Sequence, residues 1–290
     1  MIIFLEYGRL GNQAFQLLAL RILFDRHIVL VGFSSLRHLL KPSVFRSVSF
    51  VPLKSAFIRS KLAQAIRFLA GLRLITLYRP YYYSNKFELT KKIGLIRWPE
   101  FVDTSDFQHP IISSQIQPSQ LFLKDSLQNN AASRIRLLQK QYTNRPIVFV
   151  HIRRGDYVRW PTSESPAVLP CEWYFRAMTR MRELLDCPLF FIVTDDIPYA
   201  KDILGSFDDV CIEANDEYQD IAFMANCCHG ILSASSFSWL GAYLSYSKNM
   251  EEKLVDKQLF FAPDPWIIRQ SSTMPPSLNT PWLTALSRKP

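Results

Sequence analysis

No stretch of this 290-residue chain approaches the roughly 20 uninterrupted apolar residues that a membrane-spanning helix needs; the best runs, such as Phe190 to Val193, are strand-sized. The opening Met1-Ile2-Ile3-Phe4-Leu5-Glu6 lacks the basic n-region and cleavage site of a signal peptide, so a cytoplasmic protein is expected. Cysteine is scarce: five residues, an odd number, with Cys227 and Cys228 adjacent and no pair at C-x-x-C spacing. That pattern speaks against zinc and thiol-redox motifs and predicts buried free thiols. Internal repeats and low-complexity tracts are also missing. The first half has no helix-turn-helix, zinc-finger or RNA-recognition motif, which argues against nucleic acid as a partner.

Acidic residues are short in one half only. Residues 1–144 hold 7 Asp/Glu against 20 Lys/Arg, a balance of +13, whereas residues 145–290 hold 18 against 14, a balance of −4. A basic half implies an anionic partner: membrane headgroups or a charged substrate once nucleic acid is set aside. What the chain has in quantity is apolar surface. At 48% hydrophobic and 13% aromatic it must fold, and its length suffices for two domains with separate cores.

In chain order, residues 1–5 read as a buried strand, Gly8-Arg9-Leu10-Gly11 as a tight loop, and Asn12 to Asp25 as a helix capped by Asn12. Glu6 stands where the first glycine of a GxGxxG fingerprint would lie, so no dinucleotide site is expected. The loop offers backbone N–H groups to an anion, or is a plain turn. Ile28 to Val31 reads as a second strand. Between Lys54 and Arg79, cations alternate with Phe57, Leu62, Ile66, Leu69 and Leu72, which suits either a membrane-surface helix or a partly buried one with snorkelling stems. Residues 77–118 show few helix signals, and Tyr81-Tyr82-Tyr83 either stack on sugar or fill a core. A helix from Ser119 to Gln141 then reaches the turn-rich Tyr142 to Pro146, where the domain boundary is expected, giving domains 1–144 and 145–290.

The second half alternates cleanly. Strands are predicted at 147–152, 189–194, 210–212, 230–233 and 259–262, and helices at 170–186, 197–204, 217–228 and 237–247. Such alternation means an α/β domain with a parallel sheet, whose binding crevice lies at the C-terminal strand ends. The tail after Arg269, rich in Ser, Thr and Pro, reads as loosely ordered.

Three polar clusters fall at those strand ends. The run Ile147 to Ile152 leads into His151-Ile152-Arg153-Arg154-Gly155-Asp156, where two guanidiniums beside a glycine suit a diphosphate, or form a surface ion pair. Strand alternation separates Arg153 from Arg154, so one arginine faces a ligand and the other braces the loop against an acid such as Asp156. Asp195 and Asp196 suit a base edge, a ribose, a metal, or the cap of the helix from Ile197. Ser235, Ser236, Phe237 and Ser238 combine hydroxyls with a helix N-terminus, an anion site or a cap alone. No Asp-x-Asp pair is present, so a nucleoside diphosphate leaving group would be neutralised by arginines and a helix end instead of a metal.

These residues resemble a known family. HIRRGDY at 151–157, VTDD at 193–196 and SSFSWLGAYL at 235–244 are similar to the ordered motifs of the α-1,2-fucosyltransferases, glycosyltransferase family 11. GRLGNQAFQ at 8–16 resembles that family's N-terminal motif and Ala262 to Trp266 its C-terminal one. The resemblance implies a GT-B fold, two Rossmann-like domains facing a cleft, with GDP-fucose on the C-terminal domain and an oligosaccharide or lipid-linked glycan acceptor mainly on the N-terminal one. It implies inversion without a metal or other cofactor. Carried over, Arg153 and Arg154 hold the departing phosphate and His151 and Asp156 shape that site. Asp195, Asp196 and Ser235 to Ser238 contact guanosine and phosphates, and Asn12 and Gln13 approach across the cleft. A non-catalytic nucleotide-sugar or glycan-binding protein of the same fold, or a different linkage, is the alternative.

Arg9, Thr194, Ala234 and Leu240 depart from the family pattern, and residues 77–118 do not match it, which leaves the acceptor open. His151, Asp156 and Glu6 are the candidate bases, unless a weak base or water suffices. Peripheral contact with the inner face of an anionic membrane is expected from charge alone.

Overall fold

The computed structural model describes residues 1–82, 86–253, 255–267 and 280–289; Tyr83 and the first part of the tail after Arg269 lie outside them. The chain divides into two compact units, one of residues 1–116 and one beginning at Gln117. The boundary expected at the turn-rich Tyr142 to Pro146 is therefore displaced. Helix α5 (Asp125–Gln141) packs on α8 (Glu217–Asn226) of the second unit, while 16 of the first half's 20 Lys/Arg stay in residues 1–116.

The first unit opens with β1 (Ile2–Leu5), α1 (Leu10–Leu23), β2 (Ile28–Val31), α2 (Ser34–Leu39), β3 (Val48–Val51) and α3 (Ala56–Gly71). It continues with β4 (Ile75–Tyr82), β5 (Phe87–Lys92), β6 (Ile96–Val102) and the short α4 (Pro110–Ser113). The sheet runs β3-β2-β1-β6-β4-β5, parallel except for β5, which returns antiparallel along β4. Ala63, Ile66 and Ala70 of α3 pack on Leu5, Val31, Ile75 and Leu77. Helix α1 begins at Leu10, not at Asn12. Gly8, at φ +80°, turns the chain straight into the helix, and Arg9 precedes it without a side-chain cap. Asn12 thus sits inside the first turn.

In the second unit β7 (Ile147–Ile152) is followed by a two-residue ribbon, β8 (Pro161–Thr162) and β9 (Ser165–Pro166), then α6 (Cys171–Leu184), β10 (Leu189–Thr194) and α7 (Ile197–Leu204). Next come β11 (Val210–Ile212), α8, β12 (His229–Ile231), α9 (Ser236–Glu252), β13 (Leu259–Asp264) and β14 (Thr284–Ser287). Every β7 residue is buried, as an apolar run covered by helices on both faces should be. Val148, Val150 and Ile152 meet Trp173, Ala177 and Met181 of α6, while Phe149 rests where Gly230 leaves no Cβ. All pairings are parallel, in the order β11-β10-β7-β12-β13-β14. Renumbered from β7 this is 3-2-1-4-5-6, the doubly wound order whose ligand crevice opens between strands 1 and 4. The α/β class read from the alternation holds in both units. β14 corrects the reading of the tail, since 284–287 adds an edge strand to β13.

The five cysteines are free, but only Cys227 is fully buried and Cys187 is exposed, so burial does not describe them all.

Candidate active site

The switch point of the second sheet lies between the C-terminal ends of β7 and β12. Alternation along β7 turns His151 with Phe149 away from α6 and towards α9, where its ring lies 5.5 Å from that of Phe237. His151 Nδ1 is 2.7 Å from Ser233 Oγ, just after β12. Burial, with Arg153 beside it, pushes the His151 imidazole down to about 3, so the ring is neutral. A second link joins the same two loops: Tyr157 Oη donates to the Ala234 carbonyl at 3.0 Å.

Both arginines beyond β7 are braced by acids, not one as alternation predicts. Arg153 pairs with Asp156 and, at 2.7 Å, with Asp195. Arg154 Nε meets Asp196 Oδ2 at 3.1 Å, its guanidinium carbon lies 3.6 Å from the centre of the Tyr199 ring, and its backbone N–H donates to Asp195 Oδ1 at 2.8 Å. Gly155, at φ +22°, makes this possible: a Cβ there would stand 2.6 Å from Asp195 Oδ2. Both guanidiniums keep part of their surface in solvent, 16% and 25% of the side chain. The site is a fork of fixed positive charge, held in orientation by carboxylates that the chain supplies 41 or 42 residues later.

Asp196 also caps α7 by accepting from Tyr199 N at 3.1 Å, so the capping reading of this acid is correct and coexists with the pairing to Arg154. Of the serine cluster, Ser235 caps α9 through Phe237 N, and buried Ser238 returns its hydroxyl to Ser233 O and Ser235 O at 3.1 and 2.9 Å. These two hydroxyls build the turn. Ser236 and Phe237 are half-buried at the start of α9, beside the end of β12.

In the first unit the glutamines of the N-terminal motif are internal ties. Gln13 is 3% exposed and accepts from Leu36 N at 3.2 Å, which seats α2 on α1. Gln16, the last residue of that motif and given no role by it, donates to Tyr7 O and Ser105 O at 2.6 and 2.9 Å and so joins the loops after β1 and β6. Asn12 accepts from Gln108 at 2.8 Å. Glu6, a candidate base, is occupied by Arg59 at 3.0 Å and by Phe33 N, so it acts as a brace.

Those loops frame an open cavity of about 560 Å³, lined by Tyr7, Arg67, Arg79, Tyr81, Tyr82 and residues 103–106. Arg67 reaches Asp103 and Thr104, both at 2.7 Å, and Tyr82 is hydrogen-bonded to Ser105. Burial raises the Asp106 carboxyl above the usual range, and its Oδ1 accepts from Gln108 N at 3.2 Å. The only sequence signal for this cavity is the tyrosine run. Among the described residues no three His, Cys, Asp or Glu side chains gather as a metal site.

Residues 105–259, just over half of the chain, match glycosyl transferase family 11. The chain belongs to that family. It is 36% identical over 129 residues to an alpha-1,2-colitosyltransferase of Escherichia coli, a stretch that covers 42% of each protein. It is 29% identical over 111 residues to the O-antigen biosynthesis glycosyltransferase WbnK of Escherichia coli (37% of this chain, 36% of that protein). To the galactoside 2-alpha-L-fucosyltransferase Sec1 of Mus musculus it is 31% identical over 131 residues (42% and 35%). The family 11 chain thus spans about two fifths of the length of the curated relatives it matches. Among solved structures, POFUT1 in complex with GDP-fucose aligns with 84% of this chain and 93% of its own at a TM-score of 0.49 and 14% identity. The fucosyltransferase NodZ from Bradyrhizobium aligns with 83% and 91% at 0.47 and 13%.

Proposed function

We propose that this family 11 chain is an inverting, metal-independent α-1,2-fucosyltransferase of the GT-B type. It moves L-fucose from GDP-fucose to the 2-hydroxyl of a galactoside. The observation that carries the reading is the arginine fork of Arg153 and Arg154 at the β7/β12 switch point, inside the segment that matches the family.

Departure of GDP builds negative charge on the β-phosphate. Guanidiniums held in place before that charge appears stabilise the transition state more than the ground state, and they need not reorganise as it forms. The first N–H groups of α9 add a partial positive charge at the same end of the sheet. His151 is sealed and neutral, so its part is to fix the two loops, and Asp156, Asp195 and Asp196 aim the fork.

The acceptor sugar lies in the first unit's cavity. Tyr7 and Tyr81 suit the C–H faces of a pyranose, Arg67 and Asp103 suit its hydroxyls, and Asp106, with Glu6 engaged, is the carboxyl for the proton the acceptor loses. An acceptor carried on lipid places the enzyme at the inner face of a membrane. The relative named for colitose makes the donor sugar a quantity to measure.

The test is release of GDP from GDP-fucose and from the colitose donor, with a panel of galactosides and EDTA present, followed by linkage analysis of the product. Acceptor-dependent release with an α-1,2 product is the expected result. Binding of GDP-fucose without turnover would point to the non-catalytic alternative, and strict dependence on added Mn²⁺ or Mg²⁺ would overturn the metal-free mechanism.

A further inference from the structure

Helix α3 has two apolar faces. At 100° per residue its buried positions, Ala63, Ile66 and Ala70, form one stripe against the sheet. A second stripe, about 140° round the helix, is made of Phe57, Ile58, Leu62, Phe68 and Leu69. It faces solvent: Phe57 is 71% exposed and Phe68 66%. A helix with only one neighbour has no structural need of the second stripe.

The stripe continues past the end of the helix. Leu95 N and Ile96 N donate to the carbonyls of Arg73 and Leu74, both at 2.8 Å, which sets the 93–96 loop beside the C-terminal end of α3. Gly94 allows this, because a Cβ there would stand 2.3 Å from the Ile75 backbone. Leu95 is consequently 82% exposed at the tip, with Leu72, Leu74 and Ile96 exposed around it.

The charge around this surface has one sign. Residues 54–98 contain ten Lys/Arg and a single acid, Glu88. Some of these cations are spent internally, as Arg59 is on Glu6 and Arg67 on Asp103. Among the described residues no carboxylate pairs with Lys54, Lys61, Arg73, Lys92 or Arg97, and all five are exposed. Lys61 lies within the apolar stripe itself, its ammonium 5.6 Å from the centre of the Phe57 ring.

The geometry points to an anionic phospholipid leaflet as the partner of this surface: the outer stripe of α3 and the tip at Leu95 enter the headgroup boundary while Lys61, Arg73 and Lys92 remain at phosphate level. Charge selects lipid over a second copy of the chain. Lysine is depleted at the core of protein interfaces, and two like patches of unpaired cations would repel. A lysine in an apolar stripe suits a bilayer, where its stem lies among acyl chains and its ammonium snorkels to the phosphates. The inference deepens the lipid-linked acceptor reading, but it stands on the surface and needs no transfer activity.

The test is sedimentation of the full chain with vesicles of phosphatidylcholine alone or with phosphatidylglycerol, at low and physiological salt. Light scattering follows the same samples without lipid, and transfer to a water-soluble galactoside is assayed in parallel. Binding at least tenfold stronger to the anionic vesicles is expected. The double substitution Lys61→Glu/Lys92→Glu should abolish it, and Phe57→Ser/Phe68→Ser should reduce it at least tenfold even at low salt. These side chains are exposed, so melting midpoints and transfer to the soluble acceptor should not change. Absence of vesicle binding, or binding indifferent to both substitutions, overturns the inference. So does a dimer in light scattering that the phenylalanine substitutions dissolve, which would assign the surface to a second copy. Loss of transfer with vesicle binding intact would instead count against the enzymatic reading alone.

Discussion

His151 and Ser233, 82 residues apart in sequence, are joined by a 2.7 Å hydrogen bond that closes the ends of β7 and β12 over the switch point. Because the imidazole is buried, Ser233→Ala leaves a polar nitrogen without its partner, at a cost of about 1–3 kcal/mol. The loops that carry Arg153 and the start of α9 then lose this link, while the Tyr157–Ala234 bond remains. The variant should melt lower and show a raised KM for GDP-fucose with a smaller change in kcat. Unchanged melting and unchanged KM would mean the bond holds nothing.

Acid sensitivity follows from two buried rings. Burial depresses His151 to about 3, with Arg153 contributing, and His229 to about 4. In each case the unfolded chain, at an ordinary value of about 6.5, takes up the proton first. The stability of the neutral rings is therefore complete above about pH 6.5 and is lost as pH falls towards 4 and 3, at about 1.4 kcal/mol per pH unit for each ring. Melting midpoints measured from pH 7.5 to 5 should fall, and His151→Gln should make the slope shallower. An equal slope in that variant would contradict the assignment.

Gly155 is the backbone condition for the ion-pair cluster. Gly155→Ala places a methyl group 2.6 Å from Asp195 Oδ2 at a φ of +22°, so Asp195 must release Arg153 or the loop must shift. Backbone strain of about 1–2 kcal/mol makes only a modest difference to a two-unit chain. The expected outcome is a fold retained by circular dichroism and transfer reduced by about 100-fold, comparable to removing one oxyanion donor.

Gln13 separates a structural from a ligand-binding role. Gln13→Ala removes the acceptor of Leu36 N, a bond inside the first unit, and should lower stability by about 1–3 kcal/mol. GDP affinity by titration calorimetry should stay within about twofold of wild type. A tenfold loss of affinity with stability intact would restore Gln13 to the donor site.

The second unit was legible because its central strands β7, β10 and β12 are buried on both faces. Runs such as Ile147 to Ile152 and Leu189 to Val193 are too apolar and too short to be anything else, and each ends in polar residues. The first unit showed β1 and β2 but hid the rest of its sheet. β5 is Phe87-Glu88-Leu89-Thr90-Lys91-Lys92, a half-exposed edge strand without an apolar run, and β6 is interrupted by Pro99. The boundary was misplaced because the turn-rich Tyr142 to Pro146 joins α5 to β7 inside the second unit, and a turn reads the same whether it connects two elements or two domains. Arg153, Arg154 and Asp195 were visible as chemistry but not as partners, since only the parallel pairing of β7 with β10 brings residues 41 or 42 apart together. The cavity around Tyr82 and Asp106 joins the loop after β1, α3, β4 and the loop after β6, and of these segments only the tyrosine run of β4 carries a local pattern.

Whether Arg153 and Arg154 hold the diphosphate is the central claim, and GDP binding measures it without any acceptor. Titration calorimetry in EDTA should show that the wild-type chain binds GDP and that Arg153→Ala and Arg154→Ala each weaken it about tenfold or more. The lysine variants, with charge but no fork, should fall between, and all should keep near-wild-type circular dichroism. Affinities within twofold of wild type in both alanine variants would contradict the account.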